Sequence, residues 1–191
     1  MSNNHNLHLL ICMFCWTVAS FNYYMIVFHL GKLEGSLYIN GVAIAAAELF
    51  GNFIIGELLV QFGLKYTMLA SFSVMAFSAL LILFPLTTFS LWYAMATFLM
   101  KLANTCAFAS VFYGTNSLFK IDLVAVIFAV CNMFARFFTI FAPLAAICTT
   151  DTVMKVYLSL SLFAILCTAF IADKPKDGSP KKKKKNRNES Y

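Results

Sequence analysis

The sequence predicts an all-α membrane protein, a bundle of six transmembrane helices. Apolar residues make up 61% of the chain and charged ones only 12%, against about half and about 25% in a soluble domain. Mean hydropathy is +0.81, and Phe alone contributes 21 residues. The apolar residues collect in six runs near the ~20 residues that cross a hydrocarbon core of ~30 Å. Inside those runs sit four ionisable residues, Glu48, Glu57, Lys101 and Arg136. Each costs about 2.5–3.5 kcal/mol at the bilayer midplane on insertion scales, so each is expected to have a partner or a function.

The runs are Leu7–Leu30, Ile39–Val60, Met68–Phe84, Leu91–Phe112, Val124–Ile147 and Val153–Ala172. Helices are expected because lipid offers no partner to a backbone N–H or C=O. A barrel would alternate in segments of about ten residues, and no such alternation is present. The first run is expected to be a span and not a cleaved signal peptide. No Lys or Arg precedes Leu7 to make a basic n-region, and the apolar stretch is longer than an h-region. The connections are short, and Trp92, Tyr93, Tyr38 and Tyr157 fall near span ends, where amphipathic rings favour the interface.

The expected organisation is a six-span domain over residues 1–172 and a disordered basic tail over residues 173–191. The net charge of +6 does not indicate nucleic acid, because eight of the 14 Lys and Arg residues lie in that tail. They are Lys174, Lys176, Lys181 to Lys185 and Arg187. Lys65 and Lys120 fall on the tail's side of the membrane, whereas only Lys32 and Lys155 fall on the other. The positive-inside rule therefore places both termini in the cytoplasm.

The chemistry of catalysis is not visible. No H-E-x-x-H, G-x-S-x-G or phosphate-cradling glycine loop occurs. Cys12 and Cys15 form a C-x-x-C with no second pair or spaced His to complete a zinc site. All six cysteines are expected to be small apolar residues, and His5, His8 and His29 interfacial ones. Neither an enzyme nor a cofactor is expected.

Polar residues recur instead at helical spacing. In the second run Gly41, Ala45, Glu48, Asn52 and Gly56 share a face, where the small residues are expected to let another helix approach. Glu57 points away from it and is expected to be a gating or structural charge with Lys65 and Lys120. In the fourth run Thr97, Lys101, Asn104, Thr105 and Phe108 form a stripe. In the fifth, Asn132, Arg136, Thr139 and Pro143 do so, with Pro143 expected to bend the span. Trp16, Ser20, Tyr23 and Tyr24 give the first run a mixed aromatic and polar band. The expected substrate pathway is Glu48, Asn52, Lys101, Asn104, Asn132, Arg136 and Tyr24. Glu48 is expected to attract an organic cation or to pair with Lys101 or Arg136. The opposing expectation is a dry structural ion-pair network.

Phe21-Asn22-Tyr23-Tyr24, then Gly35-Ser36-Leu37-Tyr38-Ile39-Asn40, Glu48 and Gly63-Leu64-Lys65 follow in order. This series resembles the second half of organic cation/anion transporters of the major facilitator superfamily, from the end of the seventh helix to the turn after the eighth. Cys131 to Arg136 and Ala142-Pro143-Leu144 resemble that family's eleventh helix. The family's turn before it reads E-L-F-P-T-x-I-R. Here Ser117 to Val124 lacks the acid, the proline and the arginine, and Leu64 replaces one base of the earlier turn. The resemblance implies a bundle equivalent to helices seven to twelve, one half of the major facilitator fold. It implies transport of a small organic ion across the plasma membrane once a second six-helix half, or another copy, supplies the opposite wall. The alternative is a truncated paralogue that does not transport and acts as a membrane interaction protein.

The sequon Asn188-Glu189-Ser190 tests the topology. With a cytoplasmic tail, Asn188 stays unmodified in a secretory-pathway membrane. A glycosidase-sensitive mass shift that Asn188→Gln removes would reverse the assigned orientation.

Overall fold

The computed structural model describes residues 3–33, 35–86, 89–119 and 121–170. Six helices span them: α1 (Asn3–His29), α2 (Leu37–Phe62), α3 (Leu64–Leu83), α4 (Ser90–Leu118), α5 (Ile121–Thr139) and α6 (Thr150–Ala169). All six are long and apolar enough to cross a membrane. The predicted basic tail and Lys120 lie outside the described residues.

Two boundaries differ most from expectation. α4 runs six residues past Phe112 to Leu118, because no proline interrupts Tyr113–Leu118 and its end is packed. Gly114 sits against Leu64 of α3, so that a Cβ there would meet the Leu64 side chain at 3.2 Å. The fifth span is broken rather than bent. α5 stops at Thr139, and a 3₁₀ segment, Ala142–Ala146, carries the chain onward. Pro143 has no N–H to give to residue 139, and its ring excludes that carbonyl from the helix. Between α2 and α3 a single residue, Gly63, reverses the chain at φ +81°, a conformation open to glycine at little steric cost.

α1 and α4 touch at the centre. α2 leans on α4 and α5 on α1, while α3 and α6 pack on each other behind them. α3 also packs on α4, and α6 on α1. Exchanging α1–α3 for α4–α6 therefore maps each of these packing partners onto another, the signature of a three-helix repeat. The core is Trp16, Phe72, Met75, Met100, Met154 and Tyr157 with many alanines. Trp16 joins three helices: its ring meets Phe108 and Phe112 of α4 and Phe128 of α5. Its Nε1 donates to Thr115 Oγ1 at 3.1 Å.

Two aromatic or ring side chains expected at the interface are instead fully buried. Tyr157 lies on the repeat Val153, Tyr157, Ser161, Ala164, Thr168, on a helix that packs mainly against α3. His29 is covered by the end of the broken fifth span. Its Nδ1 is 2.8 Å from Ala145 O and its Nε2 3.1 Å from Thr150 Oγ1, so one imidazole ties the 3₁₀ segment to α6.

The small-residue face of α2 does not receive another helix of this bundle. A Cβ added at Gly41 or Gly56 would meet nothing within 4 Å. The close approach is on a different face, Asn40, Ala47, Gly51 and Ile55. There Gly51 meets α4, and an added Cβ would lie 3.0 Å from Thr105 Cβ. Sequence periodicity marked the Gly41, Ala45 and Gly56 face for a helix contact, and the packing uses the Gly51 face instead.

Gly51→Leu should destabilise the isolated chain by about 1–3 kcal/mol, as overpacking does, while Gly56→Leu leaves its stability unchanged. Thermal unfolding in detergent compares the two.

Candidate functional site

Polar side chains from α1, α2, α4 and α5 gather in two places, and adjacent tyrosines of α1 divide them. Successive helix residues point about 100° apart, so Tyr23 and Tyr24 reach different neighbours. The Tyr23 hydroxyl donates to Glu48 Oε1 at 3.0 Å. The Tyr24 hydroxyl accepts from Arg136 Nη1 at 3.0 Å, with the guanidinium 5.8 Å from the ring centroid. Their two rings meet edge to face at 5.3 Å.

The first place is closed on its inner side. Lys101 Nζ lies 3.6 Å from Glu48 Oε2 and 3.1 Å above the centroid of the Tyr23 ring. The Lys101 side chain is 1% exposed, that of Glu48 41%. Among the described residues the ammonium has no hydrogen-bond partner. A charge so buried holds its place by the carboxylate and the negative face of the ring. Of the two pairings expected for Glu48, the structure makes the one with Lys101.

The second place is open. An exposed groove of about 460 Å³ runs between α1 and α5, lined by Tyr24, Phe28, Met133, Arg136, Phe137 and Pro143 among others. Arg136 is exposed there. Among the described residues no carboxylate pairs with it. It stands in the last turn of α5, where the carbonyl end of the helix favours a cation. Ser20 and Thr139 hydroxyls, 3.3 Å apart, join α1 and α5 beside it.

The remaining expected pathway residues are not brought into one cluster. Asn104 is fully buried one turn beyond Lys101, and neither amide atom has a partner among the described residues. Asn132 is half-buried, and Asn52 is exposed on the open face of α2. Glu57 accepts from Gln61 Nε2 at 2.6 Å on the surface. No base pairs with Glu57 and no acid with Lys65 among the described residues. Sequence reasoning placed Tyr23 in an aromatic band but not in the pathway. The signal was the Tyr-Tyr pair, two hydroxyls aimed at two helix neighbours. All six cysteines are free.

Six apolar helices around paired ionisable groups define a multi-pass integral membrane protein with polar chemistry at membrane depth. The Major Facilitator Superfamily profile matches residues 5–190, and the chain belongs to that superfamily. No curated protein matches it. Its six helices fit one half of that transporter fold.

A double-mutant cycle on Lys101→Met and Glu48→Gln should give a coupling energy of about 0.5–3 kcal/mol in thermal unfolding. Strict additivity would mean that the pair adds nothing to the bundle.

Proposed function

We propose that the chain is the C-terminal half of a transporter for small organic ions, and that the groove at Arg136 takes an organic anion. The observation that carries this reading is charge balance. Glu48 and Lys101 neutralise one another, whereas Arg136 faces an open groove with aromatic walls and has no carboxylate partner among the described residues. A carboxylate or sulfonate would pair with the guanidinium, bidentate where geometry allows, and an apolar body would lie along Phe28 and Phe137. The resemblance of Tyr23-Tyr24, Leu37 to Asn40 and the Ala135-Arg136 and Ala142-Pro143-Leu144 runs to organic ion transporters supports the same class.

Six helices make one wall of an alternating-access site. Only Asn40, Ala47, Gly51 and Ile55 of α2 and Cys131 and Ala135 of α5 are buried, which leaves the polar Asn52 and Arg136, and Gly56, on uncovered faces. A second six-helix unit, a separate half or another copy, covers them in the active assembly. Both termini then lie in the cytoplasm of a plasma-membrane protein, with residues 173–191 as a basic tail. The second reading, a non-transporting interaction partner, is favoured by one observation, the closed Glu48–Lys101 pair.

The isolated chain, its mass established in detergent and nanodiscs, should show no saturable organic ion flux as a monomer. A twelve-span assembly should carry organic anions, and Arg136→Gln at matched expression should lower that uptake at least about tenfold, the loss of one charged contact. Saturable flux from a proven monomer, or full uptake by Arg136→Gln, would overturn the reading. A twelve-span assembly without flux favours the interaction partner.

A further inference from the structure

Charge neutralisation explains why Glu48 and Lys101 lie near one another, but not the shape of what surrounds the ammonium. Glu48 presents one oxygen to Lys101 and gives the other to the Tyr23 hydroxyl, at 3.0 Å. That hydrogen bond fixes carboxylate and ring relative to each other. The ring turns its face, not its edge, to the nitrogen, at 3.1 Å from the centroid. Tyr24 and Phe108 hold it there, with centroids 5.3 Å and 6.3 Å away.

An acid beside an aromatic face is the recognition chemistry of an organic ammonium. Lysine ordinarily spends three N–H donors on directed hydrogen bonds. Here Nζ makes none among the described residues, and the carboxylate at 3.6 Å is beyond hydrogen-bond length. The ammonium is therefore held as a cation in a cup rather than as a donor in a network. The cup is closed toward the core, since Lys101 is 1% exposed, and open along Glu48, whose side chain is 41% exposed. Asn104, on the same face of α4, keeps an unpartnered amide oxygen and nitrogen in the buried interior.

We infer that Tyr23 and Glu48 form a seat for an organic ammonium, and that Lys101 fills it from within. Lys101 is thus the residue that excludes cationic ligands from this wall of the bundle. As a selectivity device this rests on the transport reading above. As a seat it does not, and binding to the isolated chain tests it without flux.

Lys101→Ala removes three methylenes and the nitrogen, the atoms of n-propylammonium. Wild type, Lys101→Ala, Lys101→Ala/Glu48→Gln and Lys101→Ala/Tyr23→Leu are prepared in nanodiscs and titrated with n-propylammonium by calorimetry, with 1-propanol as the neutral control. Lys101→Ala should bind the ammonium saturably and wild type should not. Adding Glu48→Gln should abolish that binding, and adding Tyr23→Leu should weaken it about tenfold, a desolvated cation–π contact. Lys101→Met, which keeps a stem of the same length and removes only the nitrogen, serves as the second variant with the ammonium ion as its probe. If either variant is unstable alone, recovery of its thermal midpoint by the matching ammonium counts for the seat, and failure to recover counts against it. Saturable binding by wild type, equal binding of 1-propanol, or binding that survives Glu48→Gln would overturn the inference.

Discussion

An ammonium at membrane depth must be met by charge or it would draw water or lipid headgroups inward. Lys101 is met from two other helices, by Glu48 of α2 and the Tyr23 ring of α1. That requirement fixes how three helices stand. α2 must approach α4 closely enough for a carboxylate to reach, and Gly51 against Thr105 supplies the approach. α1 must present Tyr23 between them, which turns Tyr24 toward α5. The position of Arg136 in an open groove is then a consequence of where the first pair closes.

The rest of the bundle holds that arrangement with aromatic packing and a few neutral hydrogen bonds. Trp16 and the Phe108, Phe112 and Phe128 rings fill the junction of α1, α4 and α5. α3 and α6 provide an apolar back. At the other end of α1, His29 ties the 3₁₀ segment to α6, so the break that Pro143 forces does not leave loose backbone in the bilayer. Dispersion and packing, not a hydrophobic driving force, hold helices together in lipid. The many alanines of the core fit that condition, because they let backbones come close.

The two polar places differ in what they leave undone. Glu48 and Lys101 complete each other within the chain, while Arg136 has Tyr24 and its own helix terminus but no carboxylate among the described residues. Arg136 and Asn52 are exposed on the two least buried helices, α5 and α2. The polar faces of α2 and α5 stay uncovered within this chain, and the exchange of three helices for three fits one half of the fold of this superfamily.

The six spans were legible in the sequence because lipid leaves the backbone a single economical solution, and apolar length alone then marks each helix. The ionisable residues were legible for the same reason, since each stands out against an apolar run. The break at Pro143 was legible as a bend, because a missing N–H is a local property. What the sequence did not determine was rotation and partner. Gly41, Ala45 and Gly56 read as the helix contact, yet the docking of α4 is on Gly51. On the sequence Glu48 could reach either Lys101 or Arg136, and the packing of α2 on α4, with α5 on α1, decided between them. His29 and Tyr157 read as interfacial from their position along the chain, yet both are buried. Depth along a helix is set by the sequence of that helix, whereas the direction a face points is set by its neighbours, and that belongs to the tertiary structure.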